Sequence, residues 1–163
     1  MKKALEILDQ MIKEEIIEDY AIGGAVGVIF YTEPTDTKDL DIFVLPKFTS
    51  HGMVDLSSIY GYLRKLGYKM EKQWFVIEGI PVDFIPVYDE LTQEAFETAI
   101  EKTYENLKTK VLQPEYLLAI ALKTGRPKDL RHVDLLLEQA DLNQELLQRI
   151  LIKYNLRLKN DQI

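Results

Sequence analysis

Cysteine is absent from this 163-residue chain, which excludes disulfides, thiolate zinc sites and a cysteine nucleophile. No apolar run approaches the roughly 20 residues that a membrane-spanning helix needs. Positive charge is in deficit: 20 Lys and Arg against 27 Asp and Glu leave a net charge of −7. An acidic field repels polyanions, so bulk nucleic-acid binding is not expected. Lys102, Lys108, Lys110, Lys123, Arg126, Lys128 and Arg131 enrich one region in cations, although scattered lysines usually form a solvated face. There is no internal repeat, low-complexity segment or clear linker. The N-terminus, Met1-Lys2-Lys3-Ala4-Leu5-Glu6, turns acidic at once and lacks a signal-peptide core, so a cytoplasmic protein is expected.

What is present suits a packed α/β protein. Hydrophobic residues make up 47% of the chain, enough for one core at this length. The expected organisation is a single domain over 1–163, with a sheet-containing core at 1–112 and a helical lobe at 113–158. Lys2 to Asp19 has apolar residues at Leu5, Leu8, Met11, Ile12 and Ile16, which is helical spacing. Asp19 to Ile22 is a short extended segment. Met53 to Leu66 reads as a helix stopped at Gly67, and Tyr68 to Met70 with Trp74 to Ile77 as one or two strands. Glu78-Gly79 makes a hairpin turn into a strand over Ile80 to Val87. Asp89 begins a polar helix through Ile100, and Tyr104 to Leu112 forms a last short strand. Helices follow from Glu115 to Lys123, from Pro127 to about Gln139, and from an Asp141 or Asn143 cap to about Leu156, before a polar tail from Lys159.

The chemistry concentrates in acidic residues set in apolar strands. Lys38 to Leu45 reads as a strand ended by Pro46, and side chains two apart on a strand share a face. Asp39 and Asp41 therefore stand side by side, with Leu40 and Ile42 facing the other way. Two neighbouring carboxylates resist ionising together. A hard divalent cation removes that cost, because it prefers oxygen ligands and is often held by one or two carboxylates plus substrate phosphates. Asp83 is the lone acid in Gly79-Ile80-Pro81-Val82-Asp83-Phe84-Ile85, a run otherwise suited to burial. If its strand lies beside the first, three carboxylates converge, enough for two metal ions. The competing readings are solvent-facing acids at a strand end and three carboxylates salt-bridged to lysines. His51 sits in the loop Phe48 to Gly52 and reads as a surface residue.

Gly23-Gly24 precedes the apolar run Ala25 to Tyr31, which by propensity favours a strand. Taken in order, Gly23-Gly24, Asp39-x-Asp41 and Asp83 resemble the DNA polymerase beta superfamily of nucleotidyltransferases in its minimal form. The pattern there is a glycine turn at a helix start, Asp-x-Asp on a strand and a third acid on a later strand. Lys123-Thr124-Gly125-Arg126-Pro127-Lys128-Asp129-Leu130, with Asp134 beyond, is similar to the lysine-and-aspartate helical motif of the abortive-infection (AbiEii-like) branch. The resemblance covers roughly Asp19 to Glu138.

The resemblance implies the nucleotidyltransferase fold, α/β (α+β): a small mixed sheet flanked by helices, with a helical C-terminal lobe. It implies that Gly23-Gly24 opens a helix whose free N–H groups suit phosphate, so Ala25 to Tyr31 is expected to be helical. It implies Mg²⁺ (or Mn²⁺) on Asp39, Asp41 and Asp83, with Asp83 as second-metal ligand or base, and a nucleoside triphosphate as partner. Thr37 and Lys38 are placed to touch a phosphate. Lys123 is either a helix-end lysine favoured by the dipole or a triphosphate contact. Arg126 and Lys128 supply phosphate charge, while Asp129 and Asp134 fit structural ion pairs. The expected activity is transfer of a nucleoside monophosphate to a hydroxyl acceptor: small molecule, tRNA or protein. Nothing selects among ATP, CTP, GTP and UTP. The chain departs from the toxin branch at Val26, where threonine is usual, and in its short helical lobe. The alternative is a non-catalytic module of the same fold, a nucleotide sensor or a toxin–antitoxin-type partner.

Overall fold

A computed structural model describes residues 1–159, so the expected polar tail beyond Lys159 lies outside the described residues. The chain runs α1 (Lys2–Lys13), β1 (Tyr20–Ile22), α2 (Gly24–Ile29), β2 (Leu40–Val44), β3 (Lys47–Phe48), β4 (Val54–Asp55) and α3 (Ser57–Lys65). It continues through β5 (Lys69–Glu71), β6 (Trp74–Ile77), β7 (Ile80–Pro86), α4 (Glu90–Glu97), β8 (Ile100–Tyr104) and β9 (Leu107–Val111). Three helices finish it: α5 (Pro114–Thr124), α6 (Pro127–Gln139) and α7 (Gln144–Lys153).

Seven strands form one mixed sheet in the order β5-β6-β7-β2-β1-β9-β8, and β3 with β4 make a separate ribbon. At the centre, β2 pairs parallel with β7 and antiparallel with β1. Alternation along β2 sends Leu40, Ile42 and Val44 to one face, where they meet Val82 and Phe84 of β7, α1 and α3. Phe43 points to the other face and packs with α4, α5, α6 and α7. The sheet thus separates two apolar clusters, and a β2 position with odd parity faces the C-terminal helices.

The helix expected over Ala25 to Tyr31 forms as Gly24–Ile29, ending before Phe30 and Tyr31, against the strand propensity of its residues, because Ala25, Val26 and Val28 are buried on both sides of a short helix. Several boundaries differ from expectation: the first helix ends at Lys13 rather than near Asp19, with Glu15 at φ 57°, and the strand expected over Lys38 to Leu45 is confined to Leu40–Val44. The helix expected from Met53 begins at Ser57, because Val54 and Asp55 pair with Lys47 and Phe48 and the Asp55 side chain accepts the Ser57 N–H at 2.9 Å. The helix expected to reach Ile100 stops at Glu97, where the Thr98 hydroxyl donates back to the Glu94 carbonyl at 2.7 Å. The last strand is a hairpin, β8–β9, turned by Glu105 and Asn106 at φ 44° and 71°. Two consecutive positive φ values give the two-residue turn whose twist matches a hairpin, and asparagine tolerates them well. The sheet is therefore wider than expected.

Asn143 and Asp89 cap their helices as side-chain acceptors, from Leu146 N–H at 3.0 Å and Thr92 N–H at 2.8 Å. Asp89 also receives Lys123 of α5 at 2.5 Å, tying α4 to α5. Removing an acceptor cap of this kind costs about 1 kcal/mol. Asp89→Ala should therefore lower the unfolding free energy by about that much in a urea titration, whereas Asp141→Ala, one cap candidate that the structure does not use, should leave it unchanged.

Candidate active site

The parallel register of β2 and β7 sets Asp41 directly opposite Asp83. Asp39 lies just before β2, two residues from Asp41, and its charge acts on both of the others. Burial, then Asp39 and Asp83, push the Asp41 carboxyl up to about 6 despite opposition from Lys128 and Arg126. Burial and Asp39 likewise raise Asp83. Asp39 makes one ion pair among the described residues, with Lys128 Nζ at 3.7 Å from Oδ1. The carboxylates of Asp41 and Asp83 have no hydrogen bond or ion pair among the described residues. The reading in which lysines neutralise all three acids does not describe this arrangement.

The glycine turn is built against the same carboxylate. Gly24 has φ +54°, and a Cβ there would lie 1.7 Å from Asp41 Oδ2. A Cβ at Gly23 would lie 2.4 Å from the Phe43 ring. The absence of both side chains lets β2 and the start of α2 pack in contact, and Gly23 N–H donates to the Asp41 backbone carbonyl at 3.0 Å. The helix that follows has only six residues.

Three recesses border Asp39 or Asp41, and Asp83 lines none of them. A cavity of about 170 Å³ runs from Gly24 and Asp41 between Phe43 and Ile85 on the sheet and Leu117, Arg126 and His132 on the C-terminal helices. An open recess of about 440 Å³ lies at Thr37, Lys38 and Asp39, walled by Trp74, Pro81 and Lys128. A third, of about 590 Å³, joins Lys38 and Asp39 to Val26, Phe30 and Tyr104. The expected phosphate contacts are thus divided. Arg126 borders the closed cavity, but its Nε and a terminal nitrogen donate to Asp129 at 2.6 and 3.2 Å. Thr37, Lys38 and Lys128 border the open side. Lys123 is held on Asp89 and lines none of the three.

His132 had no place in the sequence reading. It is buried, has no hydrogen bond among the described residues, and lines the smallest of the three recesses. Its spacing, three residues after Asp129, puts it on the same helix face but does not mark it as functional.

The donor set fits a hard divalent cation: oxygen-only side chains, desolvated, two of them unpartnered, with backbones fixed side by side. Among the described residues no three such groups are already drawn into a ligand cage.

No sequence-family model matches the chain, and no curated protein matches it in sequence. Solved structures do match. An antigenic nucleotidyltransferase-like protein from Paracoccidioides brasiliensis aligns at TM-score 0.56 and 15% identity, over 94% of this chain and 86% of that one. The lincosamide antibiotic adenylyltransferase LnuA, solved with lincomycin bound, aligns at 0.55 and 18% over 83% and 94%. ANT(2″)-Ia in complex with adenylyl-2″-tobramycin aligns at 0.57 and 13% over 93% and 95%. The chain has the nucleotidyltransferase fold.

Two outcomes follow from the carboxylate geometry. A raised native pKa means that folded Asp41 keeps its proton to about pH 6 while the unfolded chain releases it near 3.8. Its contribution to stability is complete below the unfolded value and is lost as pH rises through the native one, by up to about 3 kcal/mol. In chelator, Asp41→Asn should gain on wild type in denaturant titrations from pH 4 to pH 7, and a constant difference would contradict this. Gly24→Ala forces a positive φ on alanine, at about 1 to 2 kcal/mol, and displaces Asp41. It should melt earlier than wild type at every pH.

Proposed function

We propose that this protein is a divalent-metal-dependent nucleotidyltransferase that moves a nucleoside monophosphate from a nucleoside triphosphate to a hydroxyl of a small-molecule acceptor. The observation that carries this reading is the register that sets Asp41 opposite Asp83, with Asp39 two residues before Asp41 and, among the described residues, no ion pair or hydrogen bond on Asp41 or Asp83. Burying carboxylates without partners is costly, and a bound cation offsets that cost. Asp39 and Asp41 would hold Mg²⁺ (or Mn²⁺), and Asp83 would hold a second ion or take the acceptor proton. When bound, the ions neutralise phosphate charge and polarise the α-phosphorus toward attack.

The chain's own groups do the rest. Arg126 and Lys128 lie on either side of the acids and add positive charge along the triphosphate. Thr37 and Lys38 border the open side, where the acceptor has room. The acceptor oxygen bonds to the α-phosphorus as its proton passes to a carboxylate. The α–β bridging P–O bond breaks, and pyrophosphate leaves. Positioning and charge neutralisation supply the acceleration. The net charge of −7 disfavours a polynucleotide acceptor. LnuA and ANT(2″)-Ia, solved with lincomycin and with adenylyl-2″-tobramycin, make a small molecule the better-supported class. No helix among the described residues is long and apolar enough to cross a membrane, and we place the protein in the cytoplasm.

A non-catalytic nucleotide-binding module is the second reading. It is favoured by the fact that Lys123 and Arg126 already have carboxylate partners. Calorimetric titration of each nucleoside triphosphate with Mg²⁺, followed by pyrophosphate release with candidate hydroxyl acceptors, separates the two. Binding that requires Mg²⁺ and is lost in Asp39→Asn and Asp41→Asn is expected, together with turnover reduced at least 100-fold in each, on the order of 3 kcal/mol of lost transition-state stabilisation. Undiminished turnover in either variant would end the catalytic reading.

A further inference from the structure

One group in the closed cavity is left unused by this mechanism. His132 on α6 is 9% exposed and borders the cavity that starts at Gly24 and Asp41. Neither ring nitrogen has a hydrogen-bond partner among the described residues. Asp129, on the same helix face, is engaged by Arg126 through two hydrogen bonds. Burial, then Lys128, Arg131 and Arg126, hold the imidazole pKa below its ordinary value against the pull of Asp129. The ring is therefore neutral at pH 7 and carries one donor and one acceptor, both unspent. Neither nitrogen is sealed from solvent, so a complementary ligand group in the cavity would take the place of water on the ring. Nothing in the packing demands a polar residue here, since Val133 and Leu136 beside it are fully buried in the core.

The walls say what fits. Phe43, Ile85, Leu117 and Ile120 make the cavity apolar between its polar ends. Its volume, about 170 Å³, falls below the roughly 300–1,000 Å³ of sites that bury a whole drug-sized ligand. It admits one ring system. The inner end adjoins Asp41, where the triphosphate lies in the proposed reaction. The recesses at Asp39, of about 440 and 590 Å³, provide larger and more open room for an acceptor. A planar ring with a donor–acceptor edge, attached to a triphosphate, is a nucleobase.

We infer that His132 is a specificity-determining residue, whose imidazole reads the hydrogen-bonding edge of the nucleobase in the cavity between β2, β7 and the C-terminal helices. This rests on the nucleotidyltransferase reading above. A site built around a donor–acceptor pair discriminates against bases that leave it unpaired.

The test is binding of ATP, GTP, CTP, UTP and inorganic tripolyphosphate, each with Mg²⁺, to wild type, His132→Ala and His132→Gln. Wild type should rank the four nucleotides. His132→Ala should lose roughly tenfold on the preferred one, the value of one or two hydrogen bonds, and flatten the ranking, with tripolyphosphate affinity unchanged. His132→Gln, which keeps a donor and an acceptor, should recover part of the preference. The chain has only two histidines, so imidazole proton resonances of wild type give a readout that needs no variant. The preferred nucleotide should shift the His132 signal and tripolyphosphate should not. A ranking preserved in His132→Ala, tripolyphosphate affinity falling in step with the nucleotides, or a His132 signal unmoved by a bound nucleotide overturns the assignment alone. Failure of wild type to bind any nucleotide or tripolyphosphate overturns the nucleotidyltransferase reading and the assignment with it.

Discussion

The parallel pairing of β2 with β7 puts Asp41 and Asp83 at matching positions on the sheet face that the C-terminal helices cover. A one-residue slip would turn both acids into the apolar cluster beneath α1 and α3 and bring Leu40 and Val82 out. Leu40, Ile42, Val44, Val82 and Phe84 are all buried on that opposite face, so the hydrophobic effect fixes the register. The core therefore positions the acids; they do not position themselves. Gly24 completes the constraint. Its missing side chain is the space the Asp41 carboxylate occupies, so the start of α2 and the acid are fitted as one unit.

This arrangement works against stability locally and is held by packing elsewhere. Burial and mutual repulsion raise the cost of ionising Asp41 and Asp83. The cations that would relieve them are kept back. Arg126 is committed to Asp129, Lys123 to Asp89, and Lys128 stands 3.7 Å from Asp39, beyond hydrogen-bond reach. Two apolar clusters, one on each face of the sheet, offset the deficit. A cluster of unneutralised charge inside a well-packed frame is the form expected where binding rather than folding supplies the missing partner.

The features legible in the sequence were those with strong local periodicity or unusual chemistry. An acid in an otherwise apolar strand stands out, so Asp41 and Asp83 were visible, and their adjacency followed from the family pattern. The helix at Ala25 to Ile29 was legible only through that resemblance, since its residues favour a strand and two-sided burial decides otherwise. The β8 strand was hidden because Glu105-Asn106 is a less familiar turn than Asn-Gly, and Ile100 to Tyr104 reads as easily as helix. Gly24 was visible but for a different reason, as the opening of a helix suited to phosphate rather than as space for the Asp41 carboxylate. His132 was not legible, because a histidine on an amphipathic helix carries no mark of whether its ring is paired. That is a property of the assembled cavity.

The engaged cations are not equivalent once a triphosphate arrives. Asp129 is 8% exposed, so drawing Arg126 away would leave a buried carboxylate without its bidentate partner, a change that costs several kcal/mol. Asp89 differs. It keeps the Thr92 N–H and hydroxyl as donors when Lys123 leaves, and it is more exposed than Asp129. Exchange of Asp89 for phosphate is therefore nearly balanced for Lys123 and unfavourable for Arg126. In the proposed reaction Arg126 acts from its place on Asp129, as a fixed positive edge of the cavity, and Lys123 is the side chain free to swing.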